Sequence, residues 1–245
     1  SEIIFYKGNV NLDPTYSDSF DLGYLDKWEK LTFNSSIYYQ HSINNIVRVN
    51  SQEIRVINDK ETSIIVRVPI NLASEDRVGF EFTTNYNANN KVKLSGSFNF
   101  FQFETKGEYS YDITNPTTNI TKTISQNFDT KNTSWFTRFD AKITFPWDIQ
   151  SQTRVMYTGP RNDAQSEVDG LLSVNLAFSK DLFKKKATLV LNINDLFNSR
   201  KYNFKNFAPS KENPTNISDQ TYQRRIRQIS LNFSYRWNQK DKMKK

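Results

Sequence analysis

The strongest constraint on this chain is an alternation of apolar and polar residues that recurs along most of its length. In the stretch ISLNFSYRW, residues 229–237, every second residue from Ile229 to Trp237 is apolar or aromatic, and the residues between them are polar. Successive side chains of a β-strand point to opposite faces, so the stretch predicts a strand with one apolar and one polar face. That apolar face must lie against either a protein core or lipid, and the two cases imply different proteins.

The same alternation predicts nine strands and no helix, and therefore an all-β fold. Phe101 and Phe103 break the pattern, because they fall on the polar side of their strand. We place the nine strands near residues 17–25, 31–49, 75–87, 91–106, 132–146, 149–159, 167–180, 186–197 and 221–237.

The connections between these strands alternate strictly between short and long. Outer-membrane barrels sort their connections in this way, with short periplasmic turns at one end and long extracellular loops at the other. A soluble β-sandwich has no need to do so. The short connections are at 25–30, 87–90, 146–148 and 180–186, and the long polar ones, which we expect to be loops, are at 50–74, 107–131, 159–167 and 198–220.

The polar side of the strands carries charged residues in mid-strand, which suits a water-filled lumen. A mean hydropathy of −0.71 does not exclude a membrane barrel, since only every second residue must be apolar. The sequence thus predicts a transmembrane antiparallel β-barrel in the bacterial outer membrane. Because bacterial single-chain barrels close with an even number of strands, nine strands are expected to be part of a larger barrel. The predicted lumen-facing residues are Glu81, Arg138, Asp140, Lys142 and Arg154.

Four stretches in this order resemble the C-terminal part of a TonB-dependent receptor. Val10, Thr15 and Asp21 depart from that family's usual Pro, Glu and Glu, and none of these departures changes the expected fold. The four stretches are GNVNLDPTYSDSFDLGY (8–24), GPRNDAQ (159–165), LVLNINDLFNSRKYNF (189–204) and RRIRQISLNFSYRW (224–237).

The resemblance implies that residues 1–245 are the last nine strands of a barrel of about 22 strands, with the plug domain absent from this chain. The expected function is uptake of a scarce, bulky nutrient. The expected partners are outer-membrane lipid and lipopolysaccharide, an inner-membrane energy-coupling protein reached through the missing N-terminal part, and the barrel-assembly machinery. That machinery would read the assembly signal formed by Phe233, Tyr235 and Trp237.

Two alternatives to a transporter remain open from the sequence. One is a non-transporting barrel that serves as a scaffold for surface lipoproteins, and the other is a soluble β-sandwich that binds a ligand. A full gene that encodes a plug domain upstream of this chain would favour the transporter. Solubility without detergent would favour the sandwich.

The chain's chemistry favours binding over catalysis. The net charge of +7 favours anionic partners such as lipopolysaccharide phosphates, and we expect no nucleic-acid partner. With one histidine, no cysteine and no glycine-rich phosphate loop, we expect no enzyme, no cofactor and no metal site. A basic rim at the extracellular mouth is a candidate anion site, composed of Arg200, Lys201, Lys205, Arg224, Arg225 and Arg227.

Overall fold

The computed structural model describes residues 4–237, and within them the backbone forms sixteen strands, one 3₁₀ turn and no α-helix. In this part of the chain no helix is long and apolar enough to cross a membrane. The elements are β1 (Ile4–Tyr6), β2 (Tyr16–Lys27), β3 (Leu31–Ile57), β4 (Lys60–Asn89), β5 (Val92–Lys106), β6 (Glu108–Thr114), β7 (Thr121–Asn127), β8 (Thr130–Thr144), the 3₁₀ turn Pro146–Asp148, β9 (Ile149–Thr158), β10 (Arg161–Asn162), β11 (Ser166–Val168), β12 (Leu171–Leu182), β13 (Ala187–Asn194), β14 (Tyr202–Ala208), β15 (Asn216–Tyr222) and β16 (Gln228–Tyr235).

Ten strands form the main sheet, and nine of them follow one another in the unbroken order β16-β13-β12-β9-β8-β5-β4-β3-β2. Every neighbouring pair in this order is antiparallel. The tenth strand, β1, pairs in parallel with β4 at residues 65–67. The nine strands overlap the nine that the alternation predicts, although the last begins at Gln228 rather than near 221.

The short connections are tight turns at one end of this sheet. The turn after β12 uses three consecutive left-handed residues, Phe183, Lys184 and Lys185, and closes with a hydrogen bond from Lys186 N to Phe183 O of 3.1 Å. Trp147 and Asp148 are also left-handed, with φ values of 61° and 57°. Tight hairpins require such conformations, so the short turns are formed here without glycine.

The four long connections contain strands, and in this respect the sequence-based expectation of polar loops is wrong. β3 and β4 continue as a hairpin to Ile57 and Lys60, β6 pairs with β7, and β10, β11, β14 and β15 form a four-stranded sheet. In the stretch SIIVRVPI, residues 63–70, the neighbouring residues Ile64 and Ile65 are both buried. With both faces covered, the alternation that identifies a half-exposed strand is lost.

These four connections pack together into what we call the loop layer: the β3–β4 hairpin beyond residue 44, the β6–β7 hairpin and the four-stranded sheet. Tyr109 and Ala164 come from different connections and pack against one buried apolar cluster. No part of the chain between residues 4 and 237 covers the apolar face of the main sheet, so the loop layer holds the principal buried core of this part of the chain. This cluster consists of Val49, Val68, Ile70, Leu72 and Phe128.

Candidate functional site: the two faces of the sheet and the loop layer

One face of the main sheet is a continuous apolar belt. Directly paired residues lie on the same face, and a single row of such pairs runs across five strands. Leu22 and Ile37 of this row are 71% and 60% exposed, so no part of the described chain covers them. An apolar area of this extent is stable only against lipid or another apolar layer. The row consists of Leu22, Ile37, Phe80, Phe100 and Trp135.

A row of charged residues bounds the belt on the side of the loop layer. Asp76 lies in its centre and accepts hydrogen bonds at Oδ1 from Tyr39 Oη at 2.6 Å and from His41 Nδ1 at 2.8 Å. Tyr39 therefore lies at the boundary, with its ring in the belt and its hydroxyl among the charges. The residues of this row, paired in order across five strands, are Asp18, His41, Asp76, Glu104 and Lys131.

Aromatic residues mark the opposite boundary of the belt, at the short turns. Trp28, Trp147, Phe183 and Trp237 are each more than half exposed. Rings that are exposed at one level of an apolar belt are typical of the interface between lipid and water. The belt thus has a charged upper edge and an aromatic lower edge.

The polar face carries an ion-pair group at the centre of β8 and β9. Asp140 accepts hydrogen bonds from Arg138 Nε at 2.5 Å and from Arg154 Nε at 2.6 Å. Asp140 and Arg154 border an open hollow of about 690 Å³ on this face. Lys142 lines the same hollow and lies directly opposite Lys93. Four of the five predicted lumen residues thus lie together and leave a net positive charge.

Glu81, the fifth predicted lumen residue, lies on the same face but belongs to a different group. It accepts hydrogen bonds from Asn99 Nδ2 at 3.0 Å and from Ser36 Oγ at 3.5 Å. Tyr38 donates to Asn99 Oδ1 at 3.1 Å, with its ring lying over Gly79. A Cβ at Gly79 would be 2.5 Å from the tyrosine hydroxyl, so the close approach requires glycine there.

A second hollow, of about 520 Å³, lies where the polar face of β4 and β5 meets the loop layer. Its wall includes Phe101 and Phe103, the two residues that break the alternation. Arg77 also lines it, with the guanidinium 5.0 Å above the ring of Phe101 and an ion pair to Glu75 of 2.8 Å. We call this space the mouth hollow.

Gln165, from the GPRNDAQ stretch, holds the loop layer together. Its amide accepts from Asn50 N at 2.8 Å and donates to Asn50 O at 3.0 Å, to Gln126 Oε1 at 3.2 Å and to Pro209 O. The residue is 5% exposed. These partners come from three other long connections, so one buried side chain joins all four at one end of the sheet.

Five of the six residues of the predicted basic rim lie at the base of the last long connection. Asn198 Oδ1 accepts from Gln223 Nε2 at 2.8 Å and from Arg227 N at 3.0 Å, which brings residues 200–201 next to 224–227. Lys205 lies apart from them on β14, opposite Glu167 and Asp219, so its charge is compensated. The rim is therefore smaller than the sequence predicts.

The DLFN stretch at 195–198 forms the turn that supports this rim. Asp195 is 4% exposed, and its carboxylate accepts from Ser199 N at 2.9 Å and Arg200 N at 3.1 Å. Its own N–H donates to Asn175 Oδ1 at 3.0 Å. Left-handed φ values at Asp195 and Asn198 suit these residue types.

The residues of the predicted assembly signal lie on the apolar side of β16 and just beyond its end, and Phe233, Tyr235 and Trp237 are 58%, 49% and 79% exposed. The rings of Tyr235 and Trp237 are 5.9 Å apart. Among the described residues β16 pairs only with β13, and β2 only with β3, so each end of the sheet has a free edge.

Sequence reasoning gave no role to Gln165, Arg77, Phe101 or Phe103. The two phenylalanines did carry a signal, since an apolar residue on a polar face has no place in a simple barrel wall. Gln165 and Arg77 carried none, because polar residues are expected both in loops and on a lumen face. Within residues 4–237 no three side chains of the types that bind metals lie together.

Comparison with known proteins gives one match. Residues 1–235 match the outer membrane protein beta-barrel family. No curated protein and no solved structure shows a significant match to the chain.

Proposed function

The chain belongs to the outer membrane protein beta-barrel family and lies in the bacterial outer membrane, and from that premise we propose that it is the C-terminal part of a TonB-dependent transporter. The proposed activity is uptake of a scarce, bulky nutrient, with no catalytic role for this chain. The family and the uncovered apolar belt do not fit the alternative of a soluble β-sandwich.

The observation that carries the proposal is the contrast between the two faces of a sheet with two free edges. The outer face is apolar across every strand, whereas the inner face bears unburied charges such as Asp140 and Arg154 and open hollows. A small closed barrel fills its interior with side chains, so this inner face suits a much wider barrel. A wide barrel needs further strands and a plug, and the free edges of β2 and β16 are the places where those strands would pair.

The proposed partners follow from the same geometry. An inner-membrane protein would supply energy through the missing N-terminal part, and the barrel-assembly machinery would recognise the assembly signal on β16. Lipopolysaccharide would face the belt and its charged upper edge, and the basic rim at 200–201 and 224–227 would bind its phosphates.

The scaffold function stays a second candidate because of the size of the loop layer. β3 runs sixteen residues beyond His41, to Ile57, which corresponds to roughly 50 Å of extended chain. A folded external layer of this size offers a docking surface for a surface lipoprotein. It also suits ligand capture, so the two functions must be separated by experiment.

Two chromosomal deletions separate them: one removes the whole receptor, and the other removes only its N-terminal energy-coupling segment. Both strains are grown on panels of single limiting nutrients. If the protein is a transporter, both deletions cause the same growth defect on the same nutrient. If only the whole deletion causes a defect, the barrel acts without energy coupling and the scaffold function is right.

A further inference from the structure

The mouth hollow has the dimensions of a ligand site rather than of a packing defect. Its volume of about 520 Å³ lies within the range of roughly 300–1,000 Å³ for small-molecule sites. Its wall is assembled from three parts of the chain: the inner face of the sheet, the β3 extension and the GPRNDAQ stretch. Buried hydrogen bonds from Gln165 to Asn50 fix the GPRNDAQ stretch to the β3 extension, so two of these three parts are held together without a ligand.

Two phenylalanines give the hollow an apolar wall. The ring centroids of Phe101 and Phe103 are 6.1 Å apart, with 38° between the ring planes. Both rings are only half-buried, although they lie on the face that elsewhere is polar. Half-exposed rings at such a place provide a stacking surface for a flat ring or for the apolar face of a sugar.

The charges of the hollow do not cancel. Of its two carboxylates, Glu75 is paired with Arg77 at 2.8 Å. The other, Asp163, accepts 2.9 and 2.6 Å hydrogen bonds from the backbone and a hydroxyl of its own turn. Arg48 and Arg161 line the hollow with exposed side chains, and neither takes part in an ion pair within the described residues.

A buried donor in the wall also lacks a partner. Nε of Arg77 is buried and makes no hydrogen bond within the described part of the chain. An unsatisfied buried donor costs roughly 1–3 kcal/mol, and an acceptor oxygen placed in the hollow would remove that cost. The excess guanidinium groups and the unpaired donor favour a ligand with anionic oxygens. The aromatic wall favours a ligand with a ring.

We propose that the mouth hollow binds a ring-bearing organic anion, in which a carboxylate or sulfate is attached to a sugar or an aromatic ring. The ring stacks on Phe101 and Phe103, and the anionic group pairs with Arg48 and Arg161, for which planar carboxylates and sulfates are good geometric partners. This inference rests on the proposed uptake function and narrows its cargo.

The test is calorimetric binding to the purified full-length receptor in detergent. The sugar-acid probe is an oligogalacturonide and the aromatic-acid probe is phenylacetate, each compared with its uncharged methyl ester. We expect one of the two acids to bind, its ester to bind at least tenfold more weakly, and the double variant R48A/R161A to lose at least tenfold in affinity for the acid.

The variant F103A tests stacking separately from charge, because it should lower the binding affinity for the acid and for the ester by the same factor. K131A is the matched control: it removes an exposed cation from the outward side of the sheet and leaves binding unchanged. Equal binding of acid and ester, unaltered binding by R48A/R161A, or binding of neither acid at millimolar concentration overturns the proposal.

The result is independent of the growth experiment on energy coupling. Binding by the purified receptor needs no inner membrane, so absent binding together with coupling-dependent growth refutes this ligand and leaves transport standing. Binding together with coupling-independent growth supports the site and refutes transport.

Discussion

Replacing Ile37 with arginine places a charge in the centre of the apolar belt. Ile37 is 60% exposed and lies between Leu22 and Phe80 in the row of directly paired apolar residues. It is four residues from His41, which belongs to the charged upper edge. At about 3.3 Å per residue and a strand tilt of about 40°, Ile37 lies roughly 10 Å below that edge.

This depth determines the size of the effect. An outer-membrane belt is about 25 Å tall, so a residue roughly 10 Å below one edge is near the midplane. Arginine at the midplane of a barrel's lipid face costs roughly 2–4 kcal/mol, and the cost falls to about 0–1 near the interfaces. We therefore expect Ile37→Arg to lower the free energy of unfolding of the full-length protein by roughly 2–4 kcal/mol.

The neighbouring residue provides a matched control. Ser36 lies on the opposite face, and its hydroxyl is 3.5 Å from Glu81. An arginine at position 36 would meet water and this carboxylate, so Ser36→Arg should change the free energy of unfolding by less than about 1 kcal/mol. The measurement is denaturant unfolding and refolding in lipid vesicles, followed by heat-modifiable migration on a gel. Equal damage from the two variants would mean that both faces are packed, and would refute the assignment of the belt to lipid.

Three further predictions concern the loop layer and assembly. Gln165→Leu should leave the groups it bonds unpaired, destabilise the loop layer by roughly 1–3 kcal/mol and speed protease cleavage on intact cells, whereas Gln152→Leu on the lumen face should not. Lys211 hydrogen-bonds Glu167 and lowers the pKa of that carboxyl. The contact therefore stabilises the fold at pH values above the ordinary pKa of glutamate. This stabilisation is lost as the pH falls through the lowered pKa of Glu167. Because the chain has no cysteine, a single spin label in 209–214 should become more mobile at that pH in the native protein but show no such change in Glu167→Gln. Replacing the predicted assembly signal with three serines should abolish the heat-modifiable band of the full-length protein, whereas serines at Gln228, Asn232 and Arg236, on the polar side of the same stretch, should not.

The sequence was sufficient to predict the nine antiparallel strands of the main sheet, although not all their ends, and which of the residues in those strands share a face. The alternation arises because one face of each strand meets lipid and the other meets water. Strand pairing then keeps the apolar faces of neighbouring strands on the same side of the sheet. Leu22, Ile37 and Phe80, predicted on the same face of separate strands, are directly opposite each other. What alternation cannot provide is the register, and so it did not predict that Arg138, Asp140 and Arg154 form one group.

The loop layer could not be predicted in the same way. Its strands are covered on both faces or are very short, and Gln165 acts through contacts with residues 39 to 115 positions away in the chain. Lys205 was assigned to the basic rim for a related reason. A count of basic residues between 200 and 227 includes Lys205, whereas its neighbours Glu167 and Asp219 become apparent only from strand pairing.

The two places where the alternation fails have different causes, and burial distinguishes them. Ile64 and Ile65 are 1% and 8% exposed, so consecutive apolar residues there reflect a strand enclosed by the loop layer. Phe101 and Phe103 remain half-buried beside an open hollow, although they pack on each other and Arg77 lies over Phe101. An enclosed strand contributes to stability, so polar residues in place of Ile64 and Ile65 should unfold the loop layer. Half-exposed aromatic rings on a water-filled face are only partly desolvated, and the proposed ligand would bury them further. The break at Phe101 and Phe103 is therefore the part of the sequence pattern that the barrel alone does not require and that the proposed ligand would explain.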